Sequence, residues 1–179
     1  MGSHTSGSVP NTGVADFRAY PADQAIDIIR AIAEHRWPMT VEEAFSLRDQ
    51  FGWTPAPDDG RFFVTPVSNG EEDGAIRIDR ENRIYISGIR FKLTSQLPKD
   101  ADPNIQSEMR SVYSSYVEAL TRQYGTGEAR SNSDVDGVLW HLPSRASVDI
   151  GVTHRSISVV IESPAMTDLT EAEEKYFAQ

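Results

Sequence analysis

Twice along this chain the spacing of apolar residues changes from a helical to a two-residue period, and that repeated change constrains the fold more than any other feature. The runs "RFFVTPV", "GAIRIDR" and "NRIYISGIRFKLT" alternate β-branched and aromatic residues with polar ones, with breaks at Asn69-Gly70 and Glu81-Asn82. A second set, "GVLWHLP", "ASVDIGVTH" and "SISVVIES", follows later in the chain. Between the sets, "DPNIQSEMRSVYSSYVEALTRQYG" places Ile105, Met109, Val112, Tyr113, Tyr116, Val117, Leu120 and Tyr124 along one helical stripe, which Gly125 ends. Six strands in two groups, separated by one long helix, is the direct reading. Within the third run the apolar set changes sides around Gly88, which predicts a bulge or bend there.

Helical patterns flank these groups. "YPADQAIDIIRAIAEHRW" carries Ala25, Ile26, Ile28, Ile29, Ile32 and Trp37 at mostly helical spacing, with Pro21 in the first turn. "MTVEEAFSLRDQFG" opens on a Thr40–Glu43 capping box and stops at Gly52, while "TDLTEAEEKYF" offers a second such box in Thr170 and Glu173. The expected fold is therefore α+β: a single domain over residues 14–179 in the order ααβββαβββα, with a largely antiparallel sheet of about six strands packed against helices. The two strand groups could form two halves of one sheet. Residues 1–13, "MGSHTSGSVPNTG", are small and polar and are expected to be a disordered leader or an expression remnant.

Charge and composition then remove function classes. With 27 acidic against 17 basic residues the formal charge is −10, which opposes attraction to nucleic acid or anionic lipid and favours a basic partner or plain solubility. The absence of cysteine excludes disulfides, thiolate metal sites and cysteine nucleophiles, and fits a cytoplasmic setting. No apolar run approaches the roughly 20 residues of a membrane span.

The stretch "YGTGEARSNSDVDGVLW" tests three chemistries. A phosphate cradle needs its glycines between a strand and a helix, but Gly125 and Gly127 follow a helix and precede a strand. A calcium loop starting at Asn132, Asp134 and Asp136 reaches Pro143 where a bidentate glutamate is required. What remains is Gly125 as a helix cap, Asp136-Gly137 as a turn into a strand, and a polar loop between them. The histidines supply neither an i, i+4 metal pair nor a His-x-His, and no Gly-x-Ser-x-Gly elbow exists. An enzyme or small-ligand site would have to bring His141, Asp149 and His154 together in a sheet cavity. Otherwise no catalytic residue, metal or cofactor is expected, and Trp37, Trp53 and Trp140 are expected in the core.

A contact surface for another protein is the better expectation. Its candidates are the 125–133 stretch with Thr126, Gly127, Glu128, Ala129, Arg130, Ser131 and Asn132, the 57–60 turn with Asp58 and Asp59, and the 153–156 turn with His154 and Arg155. These three could share one end of the sheet. A secretion chaperone or adaptor would be equally acidic.

"YPADQAIDIIRAIAEHRWPMTVEEAFSLRDQFGWTP" and "DGVLWHLPSRASVDIGVTHRSISVVIESPAMTDLTEAEEKYF" together resemble an actinobacterial family of small acidic domains of unknown function, which includes the immunity factor of the tuberculosis necrotizing toxin. The likeness spans about residues 16–177 and contains no catalytic motif. It implies a cytoplasmic antitoxin that forms a heterodimer with a folded toxin domain, a secreted NAD glycohydrolase of the type VII route, and blocks its substrate site without a cofactor of its own. No contact residue is transferred by this resemblance.

Overall fold

A computed structural model describes residues 17–178; the 1–13 expectation lies outside the described residues. Four helices and eight strands follow in the order α1 (Ala22–Ala33), α2 (Val41–Gln50), β1 (Thr54–Pro55), β2 (Phe62–Val64), β3 (Gly74–Ile78), β4 (Ile86–Lys92), α3 (Pro103–Tyr124), β5 (Glu128–Ser131), β6 (Asp136–His141), β7 (Ser147–Val152), β8 (Ile157–Glu162) and α4 (Pro164–Ala178). The α+β class holds, but the sheet has eight strands rather than six, in the order ααββββαββββα. Both additions are edge strands made by pairing rather than by propensity: β1 contains Pro55 and pairs Thr54 with Val64, and β5 reads Glu-Ala-Arg-Ser and pairs with β6.

All strands join one antiparallel sheet in the order β1-β2-β3-β4-β8-β7-β6-β5. It consists of two four-stranded meanders, β1–β4 and β5–β8, joined where β4 pairs with β8 from Gly88↔Glu162 to Lys92↔Ser158. The two halves foreseen from the strand groups are thus real. The bulge also stands where the pattern broke: Arg77 pairs with Gly88 but Ile78 with Ile86, leaving Ser87 as the extra residue. Gly88 has to be glycine for space, because a Cβ there would lie 2.7 Å from the Ile161 carbonyl oxygen.

One face of the sheet is the core. Ile89, Phe91, Val148, Ile150, Val159 and Ile161 are all at most 2% exposed, and α1 and α3 pack against this face and each other. A ring cluster closes the first meander, with Trp53 stacked on Phe63 at 4.6 Å and tilted onto Phe91 at 4.9 Å. Three polar side-chain groups at the centre of the core are bonded to one another or to backbone. The Tyr116 hydroxyl donates to the Tyr20 carbonyl at 2.6 Å, and Trp53 Nε1 donates to the Tyr20 hydroxyl at 3.1 Å. All three tryptophans are buried or partly buried, and the Trp140 indole donates to the Gly125 carbonyl at 2.7 Å.

Helix termini follow local chemistry. The Thr40–Glu43 capping box forms, and Asp102 caps α3 with Pro103 in its first turn and Gly125, at φ 86°, beyond its end. The Thr170–Glu173 box does not form. α4 starts earlier, at Pro164, where the Ser163 hydroxyl accepts from the Met166 amide at 3.2 Å, so Thr170 lies within the helix.

Candidate functional site

Strand periodicity gives the sheet a second face, and α1 and α3 leave it uncovered. Its residues follow from the register. One row across the sheet reads His141, Ser147, Glu162, Gly88, Arg77. The next reads Glu128, Leu139, Asp149, Val160, Arg90, Ala75, Phe62. A third reads Arg130, Gly137, Gly151, Ser158, Lys92. Charge is unevenly divided along this face: Arg77, Arg90 and Lys92 stand on the first meander, and Glu128, Asp149 and Glu162, with Arg130 among them, on the second.

α4 stands over the second meander's end of this face. Arg145, in the β6–β7 turn at φ 77°, fastens it there, its guanidinium donating to Asp168 at 2.6 Å and to Glu171 at 2.8 Å. Between helix and sheet lies a polar pocket of about 440 Å³. Glu128, Arg130, Leu139, His141, Ser147, Asp149 and Glu162 line it from the strands, and Thr167, Thr170, Glu171 and Glu174 from α4. Five carboxylates therefore face one arginine and one imidazole. Arg130 is already paired, with its Nη1 3.3 Å from Asp149 Oδ2. Burial pushes the Asp149 carboxyl above the usual aspartate range, and the Arg130 charge opposes that shift. On the other side of α4 a wider groove of about 870 Å³ runs against β3 and β4, with Ile78, Ala165, Met166 and Leu169 among its lining.

Beyond these pockets α4 projects. Leu169, Tyr176 and Phe177 are 50%, 73% and 82% exposed, with the last two rings packed edge to face at 5.2 Å. On the first meander, burial lowers the Lys92 ammonium and raises the Asp73 carboxyl; each partly offsets the other. Lys92 donates to the Ser156 hydroxyl at 3.3 Å.

The residues expected from sequence fall in three places. Glu128, Ala129, Arg130 and Ser131 form edge strand β5, not a loop, and every one is exposed. Asn132 donates its amide to the Val135 carbonyl at 2.9 Å, which by antiparallel alternation turns the Ala129 and Ser131 backbone groups toward the open edge. Glu128 and Arg130 meanwhile point into the pocket. Gly127 is structural: a Cβ there would come within 2.5 Å of Val138 and 2.7 Å of the Trp140 ring. Thr126 is exposed beside it.

Asp58 and Asp59 lie in the β1–β2 turn, on the opposite edge of the sheet, about 30 Å from β5. The Arg61 side chain and amide hold the Asp59 carboxyl down at about 2. His154 and Arg155 occupy the β7–β8 turn, where Arg155 Nε donates to the Leu97 carbonyl at 2.8 Å. That turn shares its end of the sheet with the β5–β6 turn and not with the 57–60 turn, so the three candidate segments do not converge.

For the enzyme alternative, the structure brings His141 and Asp149 to one pocket but leaves His154 roughly 17 Å farther along β7. Asp136, the third ligand of the rejected calcium loop, is bound instead by Arg110 at 2.7 Å and the Ser131 hydroxyl at 2.7 Å. Among the described residues no cluster of three or more histidines and carboxylates could hold a metal ion, and no helix is long and apolar enough to cross a membrane.

Sequence reasoning missed Ser147, Glu162 and the lining residues of α4. The alternation of "ASVDIGV" and "SISVVIE" places Ser147 and Glu162 on polar faces, but only the β7–β8 pairing sets them opposite each other.

No curated protein and no solved structure matches the chain. The chain belongs to DUF6301, a family of unknown function, whose model matches residues 23–163 and so stops one residue before α4.

Proposed function

We propose that this chain is a protein antagonist of the antitoxin class, which binds a folded, secreted NAD glycohydrolase in the producing cell and blocks its substrate site. One observation carries the reading: an uncovered, charge-divided sheet face is bordered by a fastened helix that carries Tyr176 and Phe177 into solvent at 73% and 82% exposure. Large exposed aromatics on an ordered helix are the residue types that dominate binding energy at protein interfaces. A divided charge pattern steers a partner and fixes its orientation more than it adds affinity.

The family assignment is silent on function; the antitoxin reading comes from the resemblance to actinobacterial immunity factors, and the surface supports it. The open edge of β5 adds backbone donors and acceptors, and its Glu128 and Arg130 protect it against indiscriminate strand pairing. Inhibition by occupation needs no chemistry from this chain. It needs about 800 Å² of buried surface on each partner and one element that reaches the toxin's pocket, and α4 has the shape for that.

The test is complex formation. The chain mixed with such a toxin domain should elute as a one-to-one heterodimer on size exclusion, with mass confirmed by light scattering. Separate elution at micromolar concentrations of both would overturn the proposal.

A further inference from the structure

We infer that the pocket beneath α4 receives a guanidinium group, the side chain of an arginine on the protein partner; this rests on the antagonist reading above. Acidity alone does not carry the inference. The hydroxyls of Ser147 and Thr167 do, because each residue is 5% exposed, both line the pocket, and neither side chain has a hydrogen-bond partner among the described residues. Ser147 sits in the sheet floor and Thr167 on the helix above, so the pocket has an unmet polar atom on each wall. Folded proteins satisfy such atoms from within, with ordered water or with a bound group.

The carboxylates say what that something is. Glu128, Glu162 and Glu174 line the same space with no ion pair among the described residues, and Glu162 stands directly opposite Ser147. Arg130 does not neutralise them, since it is paired with Asp149. A ligand therefore has to bring positive charge and several N–H donors at once. A guanidinium offers five donors in a planar fork, enough to meet two carboxylates and both hydroxyls, whereas an ammonium offers three from a single point. A space of about 440 Å³ admits a side chain but no folded element. The pocket opens on the same face as the β5 edge and lies under the helix that carries Tyr176, so a protein seated on that surface would cover it and could place an arginine in it.

The probe is capped arginine, N-acetyl-arginine methylamide, titrated into the full chain labelled with ¹⁵N, with capped citrulline and capped lysine as comparison arms. Capped arginine should shift the amides of Ser147, Asp149 and Thr167. Capped citrulline, which has the shape without the charge, should leave them in place, and capped lysine should bind more weakly than arginine. Glu162→Gln should weaken arginine binding by about tenfold. Glu173→Gln, on α4 but outside the pocket, should leave it unchanged. Equal shifts from citrulline, equal binding of lysine, shifts elsewhere on the chain, or no shifts up to the solubility limit would each overturn the inference. No toxin enters this experiment. A pocket that takes arginine in a chain that fails to bind the toxin would sink the antagonist reading alone, and an antagonist with an indifferent pocket would sink only the guanidinium assignment.

Discussion

Ser147 and Glu162 face each other across the β7–β8 pair, one a buried serine whose hydroxyl has no partner among the described residues, the other a carboxylate with no ion pair among them. A buried hydroxyl without a partner is unusual in a folded sheet, where such groups are normally bonded. The position of Ser147 and Glu162 under α4 gives the second meander a built pocket, where composition alone would give only a negative surface.

Removing the hydroxyl tests the first half of that relationship. Ser147→Ala should leave the chain as stable as before or more stable, by up to about 1 kcal/mol, since it removes an unpaired buried hydroxyl and leaves only the β-carbon in its place. Urea unfolding followed by circular dichroism reads the difference. A loss of stability would mean that the hydroxyl is bonded in the free protein.

The line where the meanders meet gives a prediction about the fold itself. At Gly88 a Cβ would meet the backbone oxygen of Ile161 at 2.7 Å, and neither the oxygen nor the bulge beside it can move without disturbing the β4–β8 ladder. Gly88→Ala should therefore cost about 1–3 kcal/mol. Gly52→Ala would strain a positive φ of 75° with nothing within 4 Å, so the two variants separate crowding from backbone strain. A Gly88→Ala variant as stable as the parent would show that the two meanders are not closely apposed there.

Two aspartates should have pKa values shifted in opposite directions. Burial raises the folded pKa of Asp149 above its unfolded value, so the folded state holds that proton more tightly. Its contribution to stability is full below the unfolded pKa and is lost as pH rises through the folded one. Asp59 is the reverse: Arg61 lowers its folded pKa to about 2, so its contribution is present above the unfolded value and is lost as pH falls toward about 2. Carboxyl carbon shifts of the two residues, followed by NMR from pH 7 downward, should show Asp149 protonating first and Asp59 last. Coincident titration would contradict the burial of Asp149 and the Asp59–Arg61 pairing together.

Much of this fold can be read from the chain, and the failures have physical causes. The long α3 declared itself through an apolar stripe bounded by Asp102-Pro103 and Gly125, and the central strands through alternation of apolar and polar residues that breaks at Gly88. β5 did not, because Glu-Ala-Arg-Ser has no strand propensity and is extended only because β6 lies beside it. At α4 two start signals competed. Ser163-Pro164 won over Thr170–Glu173, since a serine cap with a proline in the first turn starts the helix seven residues earlier. The site was half legible: Glu128, Arg130, His141 and Asp149 were named, while Ser147, Glu162 and Thr167 needed the strand order and the placement of α4.

The most direct measurement is NAD hydrolysis by the toxin domain with the chain added in increasing ratio. Activity should fall to background near one-to-one stoichiometry. The double variant Tyr176→Ala, Phe177→Ala should need at least about ten times more protein for the same effect. Its Tm should stay within a few degrees of the parent's, since both side chains are exposed. Hydrolysis undiminished by an excess of the folded chain would contradict the central claim.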